Sequence, residues 1–248
     1  MSQEREKSPQ DIQRKFYAEV SESYDKGMLE ADSEHMFSLA LLSGLINYFR
    51  FESLLDVGAG TGRAQRYLKS ICPGCVTKGI EPVAEMREVA YKNGIPRDEL
   101  VSGDGAWIEF PDGSFDVATE FGILHHVAEP RKVISEMLRV SRRAIFISDS
   151  NCFGQGPFPV RLAKQVLHAL GLWRLTTLIR SRGKGYLIGG EGLFYPYSVF
   201  MDYSFIKRNC RRIMLFNTSD AVSPEIERSA TGINPYRTAR HVTLLALK

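Results

Sequence analysis

Four acids, a run of alternating glycines and a histidine pair are the residues of this chain best placed to do chemistry. Asp56 lies in the apolar stretch Leu54-Leu55-Asp56-Val57, and Gly58, Ala59, Gly60, Thr61 and Gly62 follow it. Alternating glycines let a chain turn tightly after a strand, and they remove the Cβ atoms that would hold a ligand away from backbone. Glu81 precedes Pro82, Asp104 sits between Gly103 and Gly105, and Glu120 precedes Phe121. Each acid falls at or just past the end of a predicted strand, which is where open α/β sheets bind ligands. His125-His126 comes soon after Glu120, and imidazole is the side chain suited to general-base work near neutral pH.

The elements that must position these residues alternate. Strands are predicted at Ser53 to Val57, Val76 to Ile80, Leu100-Val101, Ser114 to Thr119 and Ala144 to Ser148. Between them run helical patterns after Gly62, from Pro82 to Asn93-Gly94, and from Pro130 through Val133, Ile134, Met137 and Leu138. Such alternation implies βαβ units and a doubly wound, mostly parallel sheet. Arg212 to Phe216 and His241 to Leu247 bring the strand count to seven. Upstream, Ser8-Pro9 starts a helix carrying Phe16, Tyr17 and Val20 on one side. A second helix, capped by Asp32 or Ser33, is expected to bury Phe37, Leu41, Leu45 and Tyr48.

With 248 residues, 44% of them hydrophobic and 25% charged, the chain can build one sizeable α/β domain. The formal net charge of +3 gives no overall warrant for nucleic-acid binding, and no aromatic-studded basic platform for RNA is visible. No apolar run approaches a membrane span, and Met1 to Asp11 lacks the apolar core of a secretory signal, so a cytoplasmic protein is expected. Cys72-Pro73-Gly74-Cys75 matches CxxC, but it lies between a helix end and a strand with no second pair, which reads as structural. No metal site is expected.

Taken in order, Leu54 to Gly62, Glu81-Pro82, Gly103-Asp104-Gly105 and Ser114 to Val127 resemble the motifs of class I S-adenosylmethionine-dependent methyltransferases, nearest to the small-molecule, quinone-biosynthesis-like branch. The resemblance covers roughly Phe16 to Asp149. It implies S-adenosyl-L-methionine as cofactor and methyl transfer to a small-molecule acceptor at a hydroxyl, anionic or lipid-like acceptors included; the alternatives are carbon or nitrogen methylation of a small metabolite, or an interaction domain that binds the cofactor without turnover. Glu81 would take both ribose hydroxyls, Asp104 the adenine amino group, and Gly105 or Ala106 would offer backbone to the ring. Met86 and Trp107 would wall the adenine, Asp56 would order the glycine loop and the methionine end, and backbone near Glu120 and Phe121 would meet the ammonium. The resemblance places Tyr17 and Tyr24 on a lid helix, with Tyr24 closing over the cofactor, and puts His125-His126 beside the methyl group. His125 is the candidate base for O-methylation, with substrate positioning or a structural role as the alternative. A nicotinamide enzyme competes for the glycine loop, but Asp56 and Asp104 have no task at a dinucleotide site, and GxGxG is not GxGxxG.

On this reading residues 1–248 are a single methyltransferase domain, residues 9–49 a helical lid, and residues 150–204 an insertion that sets acceptor specificity. From Ser150 to Gly190 there is no Asp or Glu, while Arg161, Lys164, Arg174, Arg180, Arg182 and Lys184 all occur. Val160, Ala163, Leu167, Leu170 and Leu178 indicate an amphipathic helix or helix pair broken near Gly171, and the glycines from Gly183 to Gly190 indicate a mobile loop. Three readings stand: arginines meeting an anionic acceptor, residues 158–184 lying on anionic membrane beside a lipid-like acceptor, or a solvated lid face. Tyr195 and Tyr197 are candidates to line the acceptor pocket.

Overall fold

The computed structural model describes residues 8–26, 33–190, 192–219, 237 and 239–248. Helix α1 (Pro9–Tyr24) opens on a capping box in which Ser8 Oγ accepts from Asp11 N and Asp11 Oδ2 accepts from Ser8 N, both at 3.1 Å. The box satisfies amide groups that a helix start leaves unpaired. Helix α2 (Ser33–Phe49) follows; Asp32, one of its two proposed caps, lies outside the described residues. The alternation then runs β1 (Ser53–Val57), α3 (Arg63–Ile71), β2 (Val76–Ile80), α4 (Ala84–Lys92), β3 (Leu100–Val101), β4 (Phe115–Phe121), α5 (Pro130–Val140) and β5 (Ser141–Ser150). After β5 come α6 (Phe158–Ala169), α7 (Trp173–Arg180), β6 (Leu187–Gly189), β7 (Gly192–Phe194), α8 (Tyr203–Asn209), β8 (Arg212–Asn217) and β9 (His241–Leu247).

The main sheet has seven strands in the order β3-β2-β1-β4-β5-β9-β8. Strands β1 to β5 pair in parallel, and β9 runs antiparallel to both β5 and β8. This is the doubly wound, Rossmann-like α/β architecture expected from the alternation. Both faces are covered, and the strands show it residue by residue. Leu55, Ala118, Ile145 and Ile147 join the core under α5 and α8, while Leu54, Val117 and Phe146 join the one under α2 and α3. A two-residue period feeding two apolar layers explains why these strands read as continuous hydrophobic runs.

Two expectations change. Helix α2 buries Leu39, Leu42 and Ile46 and leaves Phe37 and Tyr48 exposed. It is apolar around most of its circumference, so spacing alone did not select the buried face. The glycine stretch read as a mobile loop contains β6, which pairs with β7 just beyond it, Leu187 opposite Phe194. The break at Gly171 stands, since that residue has φ +73 and separates α6 from α7. Cys72 and Cys75 are buried free thiols, and burial pushes Cys75 up to about 11, in keeping with a structural role.

Gly58 has φ +72, and a Cβ there would lie 2.5 Å from Ile123 Cγ2. Gly58→Ala is therefore expected to lower stability by at least about 1–2 kcal/mol, the cost of left-handed backbone alone. A urea midpoint equal to that of the parent protein would contradict this packing.

Candidate functional site

The order of the main sheet reverses between β1 and β4, so their carboxyl ends flank a crevice. The loop after β1 forms one wall. Gly58 N and Ala59 N donate to Ile80 O at 2.9 and 3.0 Å, tying the glycine run to the end of β2. Gly62, at φ +77, turns the chain into α3. A cavity of about 230 Å³ opens above this end of the sheet, and a smaller one of about 30 Å³ adjoins it around Asp56, Ala59, Thr61 and Arg63. Tyr24, Gly58, Gly60 and Phe121 border both.

Glu81 is buried at the end of β2, and both its oxygens are engaged. Oε2 accepts from Gly60 N at 3.0 Å and Oε1 from Val83 N at 2.9 Å. Burial raises its pKa, and those two amides together with Arg87 and Arg14 oppose the shift. Pro82 and Met86 border the larger cavity beside it. Asp104, by contrast, is half-exposed. Its Oδ1 accepts from Ala106 N at 2.9 Å, and its Oδ2 pairs with Arg14 at 3.0 Å. Gly105 and Ala106 face the cavity, whereas Trp107, expected as a wall, is 76% exposed and borders neither cavity. Trp107 N donates back to Asp104 O at 3.0 Å, and this tight turn leaves Ala106 facing the cavity.

Asp56 accepts from Thr119 Oγ1 at 3.1 Å. Burial pushes its carboxyl up to about 7, with Thr119 and Arg63 pulling the other way. Glu120 borders neither cavity, which corrects its expected place. Its oxygens accept from Ile123 N and Ser148 N, each at 3.0 Å, so the side chain braces the turn after β4. Burial, with Asp149 nearby, raises its pKa well above the carboxylate range.

The histidine pair divides its roles in the opposite sense to that expected. His125 lies under the site, its Nδ1 2.6 Å from Asp149 Oδ1, and borders neither cavity. Burial alone would raise Asp149, but the charge and hydrogen bond of His125 overturn that and hold it low. His126 faces the larger cavity. The two residues are consecutive in a short 3-10 helix, Leu124–His126, and their rings lie side by side with centroids 4.0 Å apart, yet only His126 reaches the opening. His126 Nδ1 is 2.7 Å from Leu193 O, and Nε2 is 3.0 Å from the Tyr17 hydroxyl. A carbonyl only accepts, so this contact places a proton on Nδ1, and in the neutral imidazole Nε2 then carries the lone pair. Gln13 Nε2 also stands 3.0 Å from Nδ1, a weaker mismatch than two lone pairs facing each other at 2.7 Å.

Helix α1 roofs the crevice. Gln10, Gln13, Arg14, Tyr17 and Tyr24 border the larger cavity and share one face of the helix. Only the two tyrosines were anticipated, although the polar stripe at helical spacing was there to be read. Asp25, just past α1, accepts from Thr61 Oγ1 at 2.5 Å, Asn93 Nδ2 at 3.0 Å and Arg66 at 3.1 Å. Gln13 Oε1 accepts from Leu193 N at 2.5 Å, joining the roof to β7. Tyr195 and Tyr197 border neither cavity; Tyr197 is buried, with its hydroxyl 3.4 Å from Asp202. None of the insertion's arginines or lysines borders either cavity, and the cation at the larger one is Arg14.

The family profile described as "Methyltransferase domain" matches residues 55–146, from β1 into β5. Those residues are a class I methyltransferase domain. Curated relatives include a phosphatidylethanolamine N-methyltransferase of Cereibacter sphaeroides, 30% identical over 116 residues, 46% of this chain. A demethylmenaquinone methyltransferase of Thermotoga maritima is 33% identical over 92 residues, 37% of this chain. The chain spans 57% and 40% of the lengths of these two proteins. Among solved structures, a possible histamine N-methyltransferase of Thermotoga maritima matches over 95% of this chain and 99% of its own, with TM-score 0.57 and 16% identity. Magnesium protoporphyrin IX methyltransferase of Synechocystis, solved with bound S-adenosylhomocysteine, matches over 97% and 100%, with TM-score 0.59 and 13% identity. These structural matches establish a shared fold. The methyltransferase domain supplies Asp56, Glu81 and Asp104, while α1 and β7, outside the matched residues, supply the roof.

The carboxyl group of Asp56 predicts how stability varies with pH. Unfolded, it titrates near about 4; folded, it titrates at about 7. Its proton therefore stabilises the fold fully below the unfolded value, and that contribution is lost as pH rises through the folded value. The unliganded protein should lose stability between those two values, and Asp56→Asn should flatten that part of the profile. Urea melts at a series of pH values give the answer, and an unchanged slope in the variant would remove Asp56 as its source.

Proposed function

We propose that the chain is an S-adenosylmethionine-dependent methyltransferase acting on a hydroxyl of a small-molecule acceptor. The observation that carries the cofactor half is the Glu81 carboxylate. Each oxygen already accepts one backbone N–H and keeps a second accepting position, and the residue borders the larger cavity. Two adjacent acceptors suit the vicinal hydroxyls of a ribose. Asp104 then suits an adenine amino group, with Met86 and the backbone of Gly105 and Ala106 against the ring. At the other end, Asp56 and Arg63 border the smaller cavity with groups of opposite charge type, which suits an amino-acid zwitterion. S-adenosylmethionine held this way supplies a methyl group on a sulfonium, an electrophile that asks the protein mainly for alignment and dryness. Tyr17 and Tyr24 in the roof serve both.

Support for hydroxyl chemistry comes from His126. With its Nδ1 proton committed to Leu193 O, its basic Nε2 faces the Tyr17 hydroxyl at the cavity wall. An acceptor hydroxyl in place of Tyr17 OH would give its proton directly to Nε2, and one bonded to Tyr17 would give its proton to the Tyr17 oxygen while Tyr17 passes its own to Nε2. His125, paired with Asp149, positions this turn. The four free cysteines suit a reducing compartment, and we place the protein in the cytoplasm.

Calorimetric titration with S-adenosylmethionine should show binding that Glu81→Ala weakens by more than about tenfold, as expected for loss of charge-assisted hydrogen bonds. No binding to the parent protein would overturn the cofactor assignment. With a labelled methyl donor and a panel of phenols, amines and carbon acids, label should go to oxygen. His126→Ala should cut kcat by roughly 100-fold with donor affinity intact. Transfer to nitrogen or carbon alone would replace the hydroxyl reading.

A further inference from the structure

Helix α6 is inverted. Its solvent side carries Phe158, Leu162, Val166 and, just past its end, Leu170, spaced four residues apart, with Pro159, Ala163 and Ala169 filling the same face. Its polar residues Arg161, Lys164, Gln165 and His168 turn toward the protein and are half-buried. The inward orientation is built in. Lys164 Nζ donates to Cys152 O at 2.8 Å and Gln155 O at 3.0 Å, and Arg161 Nε donates to Gly156 O at 2.6 Å. Helix α7 adds exposed apolar residues of its own, although the residue it buries is apolar too. Trp173 is buried against Phe153 and donates to Pro196 O at 3.2 Å, while Leu172, Leu175, Leu178 and Ile179 are exposed. A water-facing helix normally shows the opposite polarity, and a contiguous apolar face of this kind marks a contact surface.

Charge decides what covers it. Arg174, Arg180, Arg182 and Lys184 are exposed around the apolar residues, and residues 150–190 contain no acid. A second copy meeting this face by two-fold symmetry would bring like charges together with nothing to neutralise them. A flat anionic surface with an apolar interior satisfies both features at once. We propose that the α6–α7 hairpin is a docking surface for an anionic lipid bilayer. Its apolar face enters the acyl boundary, and Arg174, Arg180, Arg182 and Lys184 meet lipid phosphates. The hairpin rests on the 3-10 turn Cys152–Gly154 and on Pro196, so its lipid face is carried by the same chain segment that brings Leu193 to His126. The proposal goes beyond the methyl-transfer reading and is tested by binding alone, so its failure leaves that reading standing.

The test is flotation of the purified full-length protein with extruded vesicles of phosphatidylcholine alone or of equimolar phosphatidylcholine and phosphatidylglycerol. The expected result is binding to the anionic vesicles, little to the neutral ones, and loss as salt is raised. Leu162→Glu with Ile179→Glu, and separately Arg174→Glu with Arg180→Glu, should each weaken binding by roughly tenfold or more. Unchanged S-adenosylmethionine affinity or circular dichroism in each variant confirms that it is folded. Absence of binding to anionic vesicles overturns the proposal, as does binding that neither pair of substitutions alters. A concentration-dependent dimer dissolved by Leu162→Glu with Ile179→Glu would reassign the face to a second copy and overturn it as well.

Discussion

The site depends on one buried carboxylate. Glu81 ends β2 in a place where a charge is costly unless it is hydrogen-bonded, and the amides of Gly60 and Val83 meet that demand from two different segments. The same two bonds fix the glycine loop after β1 against the start of α4, so the requirement to satisfy one side chain shapes the crevice. Two further amides of the loop, Gly58 N and Ala59 N, bond to Ile80 O one residue earlier. The end of β2 is thus the point to which the loop is anchored, and the positive φ values of Gly58, Gly60 and Gly62 are what allow the chain to reach it.

Around this fixed floor the roof is held by polar contacts at its rim. Arg14 reaches Asp104, Asp25 reaches Thr61, Arg66 and Asn93, and Gln13 and Tyr17 reach Leu193 and His126. Many of these groups are partly exposed, and each such bond is individually modest. A roof assembled from several modest contacts can be released and remade, whereas one buried in an apolar core could not. That suits the proposed methyl transfer, in which the site would admit two molecules and then exclude water.

Several features were legible in the sequence alone. Strand runs such as Leu54-Leu55 and Ile145-Phe146-Ile147 reveal themselves because both faces of the sheet are covered, and the acids Asp56, Glu81 and Asp104 fall at strand ends by simple counting. Other features were not. Phe37 and Tyr48 matched helical spacing as well as Leu39 and Ile46 did, because α2 is apolar nearly all round. Trp107 looked like a wall because it is large and apolar, yet the turn from Asp104 leaves it in solvent. Within residues 158–184 the basic and apolar periodicity was visible, but not which side of the helix faces out.

What the sequence determined by itself was therefore the order of elements, the parallel sheet and the acids that border its crevice, since these follow from local periodicity and from a topology with few alternatives. Tertiary structure decided the direction in which side chains point. His125 and His126 are adjacent and identical in type; only the contacts of Asp149 with one and of Leu193 and Tyr17 with the other separate a buried support from a cavity-facing imidazole. The α6–α7 hairpin was decided in the same way, by Lys164 bonding back to the carbonyls of Cys152 and Gln155 and Trp173 to that of Pro196, which leaves leucines and arginines outside. Orientation of this kind depends on partners far along the chain, and spacing within a segment carries no record of them.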